Sequence, residues 1–257
     1  MRYAIDAKGL CKRYGDVVAV SSLDLQVKGG ELFALLGVNG AGKTTAIKML
    51  SCLISPTSGS ADVMGHSIIG EANMVKAAVS VSPQESSVAQ NLTVFENLAF
   101  IAQIYGASSL EARKAADEMI EMLSLGEVRN RFAKKLSGGY ARRLSIAMAL
   151  ITKPQVLFLD EPTLGLDVLA RRELWKIIRE IKGQVTILLT THYLEEAEAL
   201  SDRVGIMAKG QMLAIGTADE IKAFAGTDNF EEAFIRLASG KYCAKKGTFG
   251  DFGGGEV

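Results

Sequence analysis

Gly37-Val38-Asn39-Gly40-Ala41-Gly42-Lys43-Thr44 follows an apolar run, Leu32–Leu36, and precedes a segment with helical character at residues 45–53. The order apolar strand, Gly-rich loop, Lys-Thr and helix decides the fold class, because it is the layout of a phosphate-binding loop in an α/β sheet. Glycines at both ends of a G-x-x-x-x-G-K-T segment let the backbone bend closely around a polyphosphate. Several N–H groups and the positive end of the next helix then converge on its oxygens. In this reading Gly37, Asn39, Gly40, Ala41, Gly42, Lys43, Thr44 and Thr45 form the cradle. The Lys43 ammonium reaches the β- and γ-phosphates of a nucleotide, and the Thr44 hydroxyl ligates Mg2+. A Gly-rich turn alone is also a common tight connection, so the flanking strand and the Lys-Thr pair carry the argument.

Outward from the cradle, short strand-like segments occupy residues 3–10, 17–20, 23–27 and 31–36, with a turn at Lys28-Gly29-Gly30. Residues 56–59 read as a loop and 78–82 as a buried strand ending at Pro83. From 91 to 151 the pattern is helical: Thr93 caps a segment carrying Val94, Leu98, Ile101 and Ile104, and a second amphipathic segment spans 110–123. Pro154 marks the return to strands, with 156–159 and 185–190 as continuous apolar runs on either side of a helix faced by Leu174, Ile177, Ile178 and Ile181. Alternating strand and helix imply a mostly parallel sheet, here with an N-terminal antiparallel β subdomain and an inserted helical subdomain. The expected division is an ATP-binding core at 1–85 and 153–225, a helical signature subdomain at 86–152, and a C-terminal helix with a mobile Gly-rich tail at 226–257. Within that last stretch, 203–208 and 211–215 flank Lys209-Gly210 as a hairpin, Thr217 begins a short helix and 230–237 forms another.

A chain of 257 residues, 48% hydrophobic, is long enough for one large core with an appended lobe. No apolar run approaches the ~18 to 20 residues that cross a bilayer, and residues 1–6 lack the layout of a secretion signal, so a cytoplasmic location is expected. Three scattered cysteines without a C-x-x-C pair argue against a disulfide framework or a zinc site. Lys and Arg balance Asp and Glu at 29 each, so no basic excess exists to neutralise phosphates along DNA or RNA, and no nucleic-acid partner is expected.

Val156-Leu157-Phe158-Leu159-Asp160-Glu161 places two carboxylates at the end of a buried strand, the edge where ligands of parallel sheets collect. Asp160 is a candidate Mg2+ holder, usually through water, and Glu161 a candidate to orient or deprotonate the attacking water. His192 follows Thr190-Thr191 at the end of another apolar strand, in reach of a γ-phosphate. Gln84, just after Pro83, is neutral and suits bonds to both Mg2+ and water at a hinge to the helical region. Ser137, Gly138 and Gly139 open a helix, so their bare N–H groups make a second anion site. Asp167 caps the helix that begins at Val168. His66 and Trp175 read as structural residues, and Arg142 and Arg143 as a solvated helix face.

Leu136-Ser137-Gly138-Gly139-Tyr140, standing between cradle and carboxylates, resembles the L-S-G-G-Q signature of the nucleotide-binding subunits of ATP-binding-cassette (ABC) transporters. The resemblance runs from about Ala4 to about Thr217 and keeps the family's motif order. It implies that Tyr14 stacks on adenine, that Gln84 is the glutamine between the lobes, that Gly165-Leu166-Asp167 is the D-loop, and that His192 is the switch histidine. It further implies an ATPase that dimerises head-to-tail with a second nucleotide-binding subunit, identical or homologous. The signature of one subunit then covers ATP held by the other, and integral membrane permease subunits are driven from the cytoplasmic face of the cell membrane. Tyr140 departs from the family glutamine but leaves the backbone anion site intact. Residues 210–217 and 230–237 are most like the C-terminal pattern of subunits serving drug, antibiotic, polysaccharide or lipid exporters, although a short amphipathic helix packed on the core reads the same way. A soluble DNA-repair ATPase would need a long coiled coil between cradle and signature, and a translation-associated one normally carries two cassettes. A regulatory module without turnover is disfavoured by Glu161 and His192.

Overall fold

The computed structural model describes residues 3–239. Cys243 and the Gly-rich tail expected to be mobile lie outside the described residues. Two strands, β1 (Tyr3–Tyr14) and β2 (Val17–Lys28), form an antiparallel hairpin about Gly15-Asp16. The sequence reading had ended the first strand at Leu10 and broken the second in two. Shifts of register, such as that between Ala7 and Leu10, absorb the irregular residues and let both strands continue. There follow β3 (Leu32–Leu36), α1 (Lys43–Leu50), β4 (Ser58–Val63), β5 (His66–Ser67), α2 (Ala72–Ala78) and β6 (Val79–Ser82). The next stretch holds α3 (Val94–Ile104), α4 (Ser109–Met122), two short 3-10 helices and α5 (Gly138–Leu150). The chain returns through β7 (Val156–Asp160), α6 (Val168–Ile181), β8 (Thr186–Thr191), α7 (Leu194–Leu200), β9 (Arg203–Ala208), β10 (Gln211–Gly216), α8 (Ala218–Ala225) and α9 (Phe230–Ala238).

The strands run in the order β5-β4-β1-β2-β10-β9-β3-β8-β7-β6. Those from β9 to β6 are parallel, whereas β10 with β9, and β1 with β2 and β4, pair antiparallel. Leu36 lies opposite Thr191 and Asp160 opposite Thr190, so three neighbouring strands end level. Gly37, Glu161 and His192 therefore leave the sheet side by side at its carboxyl edge.

The continuous apolar runs are explained by burial on both faces of the sheet. Along β7, Leu157 and Leu159 pack into a core shared with α3, α4, α5 and α6, while Val156 and Phe158 turn to the opposite face with α1 and the N-terminal strands. Ile187 and Leu189 against Leu188 repeat this division on β8. Each such side chain, taken fully out of water, contributes about 1.5–3 kcal/mol before entropy is counted. A third cluster joins Ala34 and Leu36 of β3 to α7, α8 and α9. Helices α3, α4 and α8 start with capping boxes built on Thr93, Ser108 and Thr217.

Candidate functional site

Helix α1 begins at Lys43, two residues earlier than the periodicity suggested, because Gly42 at φ 103° turns the loop sharply into it. A Cβ on Gly42 would stand 2.5 Å from the Ala19 carbonyl oxygen, and one on Gly37 2.3 Å from that of Met207. Only glycine lets the loop lie this close to its neighbours. No side chain caps α1, and Ser137 makes no cap bond at the start of α5, whereas Asp167 and Asn229 do cap α6 and α9. The two helix starts assigned to anions from sequence are thus free of side-chain caps.

A cavity of about 410 Å3 opens over the loop, lined by Asn39, Gly40, Ala41, Gly42, Lys43, Thr44 and Thr45, by Gln84, Glu161 and Leu164, and by Val17, Val18 and Ala19 of β2. Lys43 Nζ is buried, donates to the carbonyls of Gly37 (2.7 Å) and Val38 (3.2 Å), and lies 3.2 Å from Glu161 Oε1. The other Glu161 oxygen, Oε2, is 3.0 Å from His192 Nδ1. A carboxylate only accepts, so Nδ1 carries the shared proton. Lysine, glutamate and histidine, far apart in sequence, form one polar chain whose first two members line the cavity. Asp160 Oδ1 accepts from Thr44 Oγ1 at 3.1 Å and from Thr190 Oγ1 at 2.6 Å. Glu161 itself adopts a left-handed backbone, φ 46°, with its N–H held by both the carbonyl (3.1 Å) and the hydroxyl (3.0 Å) of Thr190.

The remaining sequence candidates do not line this cavity. Tyr14 is 48% exposed, with the Lys12 ammonium 5.2 Å from its ring centre, and it pairs with Val17, a cavity residue, without lining the cavity itself. Gly138 and Gly139 sit at the start of α5; a Cβ on Gly139 would come within 3.1 Å of Ala170 Cβ on α6. Asp167 accepts from the N–H groups of Leu169 and Ala170, as the capping reading required. Trp175 is structural: its indole N–H donates to buried Glu196. His66 is structural too: it lies in the two-residue strand β5, with Nδ1 3.2 Å from Glu71.

The solvated-face reading fails. Arg142 and Arg143 do not form a solvated face; they are 4% and 9% exposed. Arg143 stacks on the Tyr140 ring at 4.4 Å and donates to Ser124 O and Glu173. Arg142 runs the other way, into the seam below the cavity, where backbone carbonyls receive it. Sequence reasoning also passed over Thr190 and Glu196. A pair of threonines closing an otherwise aliphatic strand was the available signal for the first, and the second had none.

Residues 20–164 match the ABC transporter family. Over 226 residues the chain is 43% identical to the daunorubicin/doxorubicin resistance ATP-binding protein DrrA of Streptomyces peucetius, covering 88% of this chain and 68% of that one. It is 41% identical over 236 residues to the doxorubicin resistance ATP-binding protein DrrA of Mycobacterium tuberculosis strain H37Rv, covering 91% and 71%. Among solved structures, an ATP-binding subunit of an ABC transporter superposes with a TM-score of 0.81 at 29% identity, covering 91% of this chain and 99% of that one. The chain belongs to the ABC transporter family. As an ABC subunit it binds and hydrolyses ATP, and subunits of this kind work with membrane permease components. Neither a DNA-repair nor a translation-associated role finds support among these relatives.

Proposed function

We propose that two copies, or one copy and a homologue, close around two Mg·ATP and so drive export through separate membrane subunits. The observation that carries this reading is the split of phosphate-binding elements. Lys43 and Glu161 line one cavity, with His192 hydrogen-bonded to Glu161, while the start of α5, also without a side-chain cap, stands outside it and awaits a phosphate from elsewhere. A second chain supplying its own cradle satisfies that geometry. Asp160 with Thr44 and the Gln84 amide offers a few hard oxygen donors, a set suited to a cation that keeps phosphate and water ligands. Bound there, Mg2+ would neutralise charge developing on the phosphates. Lys43 exchanges its carbonyl and carboxylate partners for the β- and γ-phosphates. Glu161, once released, orients the attacking water, and His192 holds the γ-phosphate side of the site. Tyr14 stacks on the adenine, Gln84 senses the occupied site, and Asp167 adds a contact across the dimer.

The division into core (1–85 and 153–225), helical signature subdomain (86–152) and C-terminal part (226–257) is supported by the helices alone occupying the stretch between β6 and β7. Relatives named for daunorubicin and doxorubicin resistance support an outward direction of transport. No helix among the described residues is long and apolar enough to cross a membrane, which agrees with a peripheral place on the cytoplasmic face. The test is Glu161→Gln with Mg·ATP. It should give a trapped dimer with little hydrolysis, whereas a variant that stays monomeric at saturating ATP and turns over normally would overturn the reading.

A further inference from the structure

The geometry points to Arg142 as a positioning residue for hydrolysis: from α5 its guanidinium sets the backbone that carries Glu161 and the peptide that leads into Gln84. Nε donates to Pro162 O at 2.7 Å, Nη2 to Glu161 O at 2.6 Å and to Asp160 O at 3.1 Å, and Nη1 to Pro83 O. These direct partners are all main-chain carbonyls, three of them on consecutive residues from the last of β7 onward and the fourth immediately before Gln84. A planar guanidinium, with donors in a fixed fork, is the side chain able to hold so many acceptors at once. Burying a cation in a seam that aliphatic packing could fill is costly unless its donors are used, and here they are used on the site's own backbone. Burial lowers the guanidinium's pKa, and the charges of Asp160, Glu196 and Glu161 offset that desolvation only in part.

Glu161 explains why such a clamp matters. A non-glycine residue in the left-handed region persists only where its surroundings over-determine it. Thr190 grips its N–H and Arg142 its carbonyl, so the peptides on both sides are fixed. The direction of the carboxylate towards Lys43 and His192 follows from that backbone. Arg142 also lies about one turn into the helix opened by Ser137-Gly138-Gly139. A displacement of that helix start therefore reaches Glu161 and Gln84 through a single side chain, without passing through bound nucleotide. Arg142 touches no reacting atom, so its effect belongs to turnover and not to nucleotide binding.

The inference rests on the reading that Glu161 acts on the attacking water. Its test measures steady-state ATPase activity, equilibrium ATP binding and thermal unfolding of the full chain as wild type, Arg142→Gln, Arg142→Lys and Glu161→Gln. Arg142→Gln should lower kcat about 10- to 100-fold with KM and ATP affinity within about twofold, and Arg142→Lys should restore part of the loss. Should Arg142→Gln not fold, Arg142→Lys carries the test alone, with a smaller fall in kcat at unchanged KM. A kcat within about twofold of wild type in the folded variants, or a rise in KM matching the fall in kcat, would overturn the proposal. Full turnover by Glu161→Gln would instead overturn the reading of the site beneath it.

Discussion

Thr190→Val isolates one hydroxyl at the centre of the site. The side chain is fully buried at the end of β8, donates at 2.6 Å to Asp160 Oδ1 and accepts the Glu161 N–H at 3.0 Å. Valine has nearly the same shape, so no cavity opens and the loss is polar. A hydrogen bond to a charged group is worth about 1.5–3 kcal/mol. Glu161 N–H retains the Thr190 carbonyl at 3.1 Å, and Asp160 retains Thr44 at 3.1 Å, so neither group is stranded. The expected cost is therefore the charged bond alone, about 2 kcal/mol. Urea denaturation at neutral pH measures it, and ATPase turnover, falling at least tenfold as Asp160 loses its pin, reports the consequence for the site. Thr190→Ser is the control. It discards a methyl for about 1 kcal/mol but keeps the hydroxyl, so its turnover should stay near wild type. A Thr190→Val protein destabilised by under about 0.5 kcal/mol, with full activity, would refute the claim that this hydroxyl holds Asp160.

Gly42→Ala places a methyl at φ 103° against the Ala19 carbonyl; the dihedral alone costs about 1–2 kcal/mol, so calorimetric ATP affinity should fall tenfold or more, and unchanged affinity would show that the loop tolerates a side chain. Glu196 is buried, and desolvation raises its pKa above the ordinary carboxylate value despite the neighbouring Thr191, Thr163 and Trp175 donors and the Arg171 cation. The folded chain thus keeps a proton that the unfolded chain has lost, and stability falls as pH rises from the usual carboxylate range through the folded value. Glu196→Gln keeps the acceptor for Trp175 and removes that penalty, so its melting temperature relative to wild type should be higher at pH 8 than at pH 5. Parallel melting profiles would sink this.

What was legible in the sequence was local. Leu32–Leu36 and the runs at 156–159 and 185–190 announced buried parallel strands because both their faces are covered. Thr93 and Thr217 announced helix starts because a cap acts within one turn. The cradle, a contiguous loop, could be read whole. By contrast Ser58–Val63, with only Ala61 and Val63 apolar, becomes a strand through pairing with β1, which its own composition does not signal. Helices Ala72–Ala78 and Leu194–Leu200 are two turns long, too short for periodicity to stand out. Arg142 was misread because its partners lie 18 to 59 residues away and are backbone atoms, invisible to any pattern of side chains. Thr190 and Glu196 escaped because the side chains they meet, Asp160 and Trp175, are likewise far off in sequence.

The placement of β6 has a consequence for how the chain acquires its shape. It is an edge strand with one neighbour, β7, and roughly seventy residues intervene between them. Closing so long a loop costs about 4 kcal/mol in its length-dependent term, while four backbone pairings reward it. The intervening helices meet mostly their sequence neighbours, α3 against α4 above all, and contacts of that kind form quickly. Their prior collapse would shorten the effective loop, so the order of assembly expected is helices first and β6 last.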